Sequence, residues 1–166
     1  MVNNVPKTVG LRATAIRCFN VGTYRLQVVG SPSYFAQAGT PSEPADLLEH
    51  ACLHHRYPTN GKLQRWPLVS QALNNETPLP LTVASSTIEP LVALAEAGMG
   101  VTCVPDFAIR RQLRDGSLVV VLDSFVEHAG VFHAVWPASP YLSPKLRVFV
   151  DFLAEHLLSK VPLPDR

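Results

Sequence analysis

The chain lacks the markers of several large protein classes. No apolar run approaches the roughly 18 residues of a membrane-spanning helix. The N-terminus has neither a long apolar core nor a clean cleavage site, so a signal peptide is not expected. No charge of one sign dominates: 14 lysines and arginines face 13 acids, a net charge of +1. That balance carries no footprint of a nucleic-acid binder. Cysteine is scarce. Cys18, Cys52 and Cys103 are far apart and form no C-x-x-C, which reads as buried thiols in a reducing compartment. No G-x-S-x-G elbow and neither of the two glycine-rich phosphate loops occurs. There is no internal repeat and no low-complexity segment.

What is abundant is proline, with 15 residues. That favours many short elements with rigid connections over a helical bundle. A chain of 166 residues, 47% hydrophobic, has material for a buried core in one domain or two small lobes.

The stretch Leu79 to Pro105 organises the reading. Leu79 to Ala84 is a short apolar run, consistent with a buried strand. Ser85-Ser86-Thr87 follows. Ile88, Leu91, Val92 and Ala95 then repeat at the spacing of one helical face. Gly98 stands where a left-handed cap is needed, and Val101 to Val104 is a second strand, stopped by Pro105. Strand, helix and strand of this length make the parallel crossover of an α/β sheet.

The helix start is where chemistry is expected. Ser86 and Glu89 fit an S-x-x-E capping box, but Pro90 then removes the first helical hydrogen bond. Thr87 as the cap avoids that conflict and leaves Ser86 a free hydroxyl in the turn. Amides at such a turn point out of the sheet at a strand's C-terminal end, where open α/β sheets bind ligands and helix N-termini attract anions. The plain alternative is that the hydroxyls only cap the helix.

A second strand-to-helix turn lies earlier. Tyr24 to Val29 reads as a strand, and Ser31 with Pro32 is a strong helix start. Ser31 is a candidate ligand-facing hydroxyl with the same plain alternative. Further on, Pro44 opens a helix, Cys52 to Tyr57 reads as a strand, and Asn60-Gly61 as a turn. Trp66 to Val69 suits a short strand, and 70–78 a polar connection turning at Asn74-Asn75. Pro105-Asp106 opens a helix with Phe107, Ile109 and Leu113 apolar. Leu118 to Leu122 reads as a buried strand. Val131 to Trp136, smoothly apolar, reads as a central one. Ser143 caps a final helix, with Pro144 first and Leu146, Phe149, Val150, Leu153 and Leu157 in one stripe.

Other chemistries are weaker. His50, Cys52, His54 and His55 cluster, but on a strand His54 and His55 point to opposite faces, and no second Cys/His pair has ligand spacing. Ser85 and Ser86 have elbow-like topology without the glycines. Cys103 sits inside an apolar run, as an inert thiol does. Trp66 beside Lys62 and Arg65 has the makings of a base-stacking site, although such a lone aromatic is usually packing.

Several motifs together resemble a known family. Val28-Val29-Gly30-Ser31-Pro32-Ser33-Tyr34-Phe35 is similar to the V-A-S-P-x-Y-L entry to the second lobe of LysR-type transcriptional regulators. Thr40-Pro41-Ser42-Glu43-Pro44-Ala45-Asp46-Leu47 with His50-Ala51-Cys52-Leu53 resembles their T-P-x-x-P-x-D-L…H-x-C-L. Leu91 through Phe107 resembles L-x-A-A-x-A-G-x-G-I-x-x-L-P-D-F. Leu142 to Leu153 resembles L-S-P-K-V-R-A-F-V-D-F-L. The resemblance covers about residues 22 to 157. It implies an α/β, periplasmic-binding-protein-like (type 2) lobe, a mostly parallel sheet flanked by helices, plus a C-terminal helix from an incomplete second lobe.

The expected division is an irregular segment at 1–21, a lobe at 22–136, and a return segment with its helix at 137–166. In this family a small molecule is held between two lobes. Carried over, the ligand-binding residues are Ser31, Ser86, Thr87, Pro105 and Phe107, although many members have Asn or Asp where Ser86 and Thr87 stand. No catalytic residue, metal or cofactor is implied. The resemblance implies an effector-sensing part, binding a small anionic metabolite in the cytoplasm. Its protein partners would be a second copy or a full-length regulator, with no membrane and no direct DNA contact.

The family's helix-turn-helix, linker helix and first half-lobe are not visible, so a C-terminal fragment is expected. Burying the five large residues of the last helix is worth about 7–15 kcal/mol as an upper bound. That stripe must therefore pack on 1–21, fold back on its lobe, or seek another chain. Two other readings stay open: an α/β hydrolytic enzyme using Ser86 or Cys103, and a pairing or non-functional remnant.

Overall fold

The computed structural model of the chain describes residues 16–69, 78–127, 129–137 and 144–156. The segment 1–15, the 70–77 connection with its Asn74-Asn75 turn, the Ser143 cap and the Leu157 end of the stripe lie outside the described residues. The chain divides into two compact units, Arg25–Ala129 and Met1–Tyr24 with Gly130–Arg166. The first strand, β1 (Ile16–Gly30), crosses that division. Residues 16–21, expected to be irregular, are therefore strand.

In the unit Arg25–Ala129, β1 ends where the sequence ends it. Ser31 caps α1 (Pro32–Ala38): its Oγ accepts the Tyr34 N–H at 3.2 Å, and Gly39 closes the helix at φ 85. Pro44–Glu49 forms a 3-10 turn. Ahead of it the Asp46 carboxylate accepts the backbone N–H groups of Glu43 (3.1 Å) and Ser42 (2.8 Å), which hold its pKa below the usual carboxylate value. Then come β2 (Cys52–His55), β3 (Val83–Ser85), α2 (Glu89–Glu96), β4 (Val101–Pro105), α3 (Arg110–Asp115) and β5 (Val119–Val121).

The sheet order is β3-β2-β4-β1-β5. Strands β3, β2 and β4 are parallel, and α2 carries the chain from β3 over β2 to β4. The expectation of a mostly parallel sheet holds for these three. It fails at β1, which runs antiparallel to both β4 and β5. A strand buried on both faces reads as an apolar run whatever direction its neighbours take, so the sequence does not reveal the reversal. Strand β5, expected to be buried, is the sheet's edge, and Val119 is 37% exposed.

The core is the joint between α2 and this sheet. Leu91, Val92 and Ala95 pack with Leu53, Val29, Val104, Ile109 and Leu118, and Ile88 flanks them. This is the helical stripe read from the sequence. The buried Thr102 Oγ1 donates to the Leu53 carbonyl at 3.0 Å, so this hydroxyl is satisfied inside the sheet. Gly100 is required by close approach. At φ 151 a Cβ there would run into the Ala51 carbonyl oxygen, which accepts the Val101 N–H at 2.8 Å.

In the other unit, β6 (Ala129–Pro137) pairs with β1, and α4 spans Pro144–His156. Strand β6 was expected to be central. Instead its side chains from Val131 to Pro137 alternate between exposed and half-buried, the pattern of a strand with one wet face. On α4, Val150 is buried and Leu146 and Leu153 are half-buried, while Phe149 is 57% exposed.

Candidate functional site

Parallel strands end together, and that edge is the candidate site. His55 of β2 lies beside Ser85 of β3 in the ladder. The Arg56 N–H donates to the Ser85 carbonyl at 2.8 Å. Beyond Ser85 the chain turns through Ser86 and Thr87, both exposed, into α2.

The helix start differs from either capping scheme. Neither Ser86 nor Thr87 caps α2. Ile88 occupies the cap position with helical angles and no side-chain cap. Ser85 Oγ instead accepts the Thr87 N–H at 3.2 Å. Both downstream hydroxyls project from the turn because the residue before them takes the local bond.

Phe107 follows β4 in a 3-10 turn (Asp106–Ala108) whose Asp106 carboxylate accepts the Phe107 N–H at 2.8 Å. Phe107 is 36% exposed. With Ile88, Val92, Ala93 and Ala108 it lines a groove of about 320 Å³, rimmed by Glu89 and Glu96. That volume is at the lower end for small-molecule sites. The groove begins at the residue after Thr87. Pro105 is buried within β4, opposite Leu26, so it shapes this edge from inside and offers no surface.

Ser31 is not brought to this edge. Because β1 runs antiparallel to β4, Leu26 pairs with Pro105 and Val29 with Thr102. Ser31 therefore lies toward the start of β4, roughly 15 Å of strand away. It is also buried, with Oγ bonded to the Tyr34 N–H and to Ser33 Oγ at 3.0 Å. Capping accounts for this hydroxyl.

The histidines take separate roles. Tyr34 OH accepts the Ala51 N–H at 2.9 Å and shares a hydrogen bond of 3.1 Å with His50 Nδ1. His54 Nε2 donates to the Pro80 carbonyl at 2.9 Å, and its ring lies 5.4 Å from that of Trp66. Burial pulls the His54 pKa below the ordinary value, and Nδ1 is buried without a partner. Trp66 is thus occupied in packing. His55 bridges Gln64 Oε1, 3.1 Å from Nδ1, and the Ser86 carbonyl, 3.2 Å from Nε2. The sequence gives no sign of this bridge, since His55 there is one of several clustered histidines. Among the described residues no group of three His, Cys, Asp or Glu side chains is placed to hold a metal ion.

Nucleophilic chemistry finds little to work with. His55 meets the carbonyl of Ser86, not its hydroxyl. Burial pushes the thiols of both Cys52 and Cys103 up to about 12. No helix among the described residues is long and apolar enough to cross a membrane.

A mixed sheet with a parallel half, a crossover helix over it, and exposed hydroxyls at the strand ends defines an α/β ligand-binding lobe. The family model of the LysR substrate binding domain matches residues 8–158, and the chain belongs to that family. The match starts ahead of residue 22, where the motifs begin. The chain is 32% identical over 145 residues to the HTH-type transcriptional regulator CrgA of Neisseria meningitidis serogroup C, covering 87% of this chain and 48% of CrgA. It is 25% identical over 128 residues to the HTH-type transcriptional regulator PgrR of Escherichia coli, covering 77% of this chain and 43% of PgrR. It spans about half the length of these curated relatives. The solved regulatory domain of CrgA superposes with a TM-score of 0.74 at 29% identity, over 90% of this chain and 72% of that one. The effector domain of AmpR of Pseudomonas aeruginosa, at TM-score 0.62 and 24% identity over 84% of this chain and 64% of that one, shares the fold. The periplasmic-binding-protein-like (type 2) class implied by the motifs is the class these neighbours define.

Proposed function

We propose that this chain is the effector-sensing part of a cytoplasmic LysR-type transcriptional regulator and acts by binding, without catalysis. The ligand is a small anionic metabolite held at the C-terminal edge of β3, β2 and β4. The observation that carries this is the exposure of Ser86 and Thr87 where two parallel strands end side by side, ahead of α2. Phe107 supplies an apolar wall in the adjoining groove. The relatives' role as transcriptional regulators supports the regulatory reading. The near-neutral charge supports a reading in which this stretch makes no direct DNA contact.

A thermal-shift screen of small carboxylates and phosphates, each beside a neutral analogue, tests the proposal. Anions that raise the melting temperature of the wild type are expected to lose that effect in Ser86→Ala/Thr87→Ala. Hits that stabilise the double variant equally, or neutral analogues that do as well as anions, remove this site or this ligand class.

A second reading rests on a separate observation. Val148, Phe149 and Phe152 are exposed along α4, which suits a pairing element. Sedimentation as a clean monomer at high concentration would count against it.

A further inference from the structure

The turn that carries Ser86 and Thr87 lies outside the helix that follows it. The first carbonyl of the α2 ladder is that of the cap residue Ile88, which accepts the Val92 N–H at 3.0 Å. The Ser86 carbonyl stands two residues ahead of that cap, so α2 supplies it no donor.

His55 provides one, with Nε2 3.2 Å from that oxygen. A carbonyl only accepts, so Nε2 carries a proton. Nδ1 faces the Gln64 amide at 3.1 Å. Two arrangements satisfy both contacts. A neutral ring accepts from the amide N–H of Gln64, or a charged ring donates to its oxygen, and the partners decide which way the amide points. The bond to Ser86 is the same in both. The ring is itself fixed. Gln64 N–H donates to the His55 carbonyl at 2.7 Å, and the Tyr57 ring meets it edge-on at 5.4 Å.

We infer that His55 is a positioning residue for the Ser86–Thr87 lip, supplying from β2 the hydrogen bond to the Ser86 carbonyl that α2 does not reach and so holding the turn open. The inference concerns the site proposed above and rests on that reading for its purpose, but not for its test.

Two measurements without any ligand decide it. Ring ¹⁵N spectra of the unaltered chain are expected to show the neutral form of His55 protonated on Nε2; a neutral ring protonated on Nδ1 overturns the assignment. In His55→Ala, amide exchange at Thr87 and Arg56 is expected to quicken about tenfold, with the amides of Val101 to Val104 unchanged. His55→Gln, which keeps a donor, restores most of that protection. Unchanged exchange at Thr87, or an equal loss across β4, overturns the inference. Should His55→Ala fail to fold, the ring spectra of the wild type still decide. A failed ligand screen leaves these results standing, and the reverse holds as well.

Discussion

The unit Arg25–Ala129 closes a core of large apolar side chains under α2, whereas the unit built on β6 and α4 leaves its largest ones exposed. Leu53, Leu91, Val104 and Ile109 are each 0% exposed, whereas Val135, Val148, Phe149 and Phe152 are all more than half exposed. The two units draw on similar residue types. What differs is the geometry around them. Helix α2 lies over three parallel strands, so its stripe meets a matching surface. Helix α4 buries Val150, leaves Leu146 and Leu153 half-buried and turns Phe149 out. An apolar stripe is therefore a demand for a partner surface and not proof of one.

Thiol chemistry should show the contrast at its widest. At pH 8 a thiol that titrates near 12, as Cys52 and Cys103 do, is thiolate in about one molecule in 10⁴. Cys18 is exposed. A disulfide reagent is expected to modify one thiol quickly in the native chain and three in denaturant; fast reaction of two or three native thiols would break the comparison.

Core truncation comes next. Leu91→Ala should cost about 2–5 kcal/mol in urea unfolding, and Phe149→Ala less than about 1 kcal/mol. Equal costs would mean that α4 is covered in solution. Gly100→Ala belongs with the core variants, at about 1–3 kcal/mol, because its Cβ meets the Ala51 carbonyl and its φ is positive.

Acid acts on the buried unit through His54. Burial lowers its pKa in the folded chain from the ordinary 6.5. Between the two values the unfolded chain binds more protons, so stability is full above about pH 6.5 and falls as pH drops toward the folded value. Unfolding midpoints measured from pH 8 to 5 should decline, and His54→Gln should flatten that decline. Ser31→Ala is expected to cost about 1 kcal/mol from a lost cap, with ligand binding at the opposite edge untouched. If Ser31→Ala abolished binding of a screened anion, the assignment of the two sheet edges would have to be redrawn.

The site was partly legible. Ser86, Thr87 and Phe107 could be placed from strand and helix punctuation, since hydroxyls after an apolar run and before a 3.6-residue period locate a turn without any knowledge of distant chain. Pro105 and Ser31, expected with them, stand apart from the exposed lip for two different reasons. Pro105 sits one residue too early, still inside the ladder. Ser31 reads like Ser86 locally, and only the direction of β1 separates them. His55 could not be found, because its partners Gln64 and Ser86 lie 9 and 31 residues away.

By itself the sequence determined the features that neighbouring residues dictate: the Ser31 cap with Pro32, the α2 stripe, the left-handed Gly98 after it, and the motifs of the LysR substrate-binding family. Periodicity and backbone restriction act over a few residues, so a single chain states them openly. Strand direction, the edge position of β5, the wet face of β6 and the bridge from His55 to Ser86 were decided by the tertiary structure alone. Each depends on which distant segment lies alongside, and hydrogen bonds between strands carry no mark in either segment's own sequence.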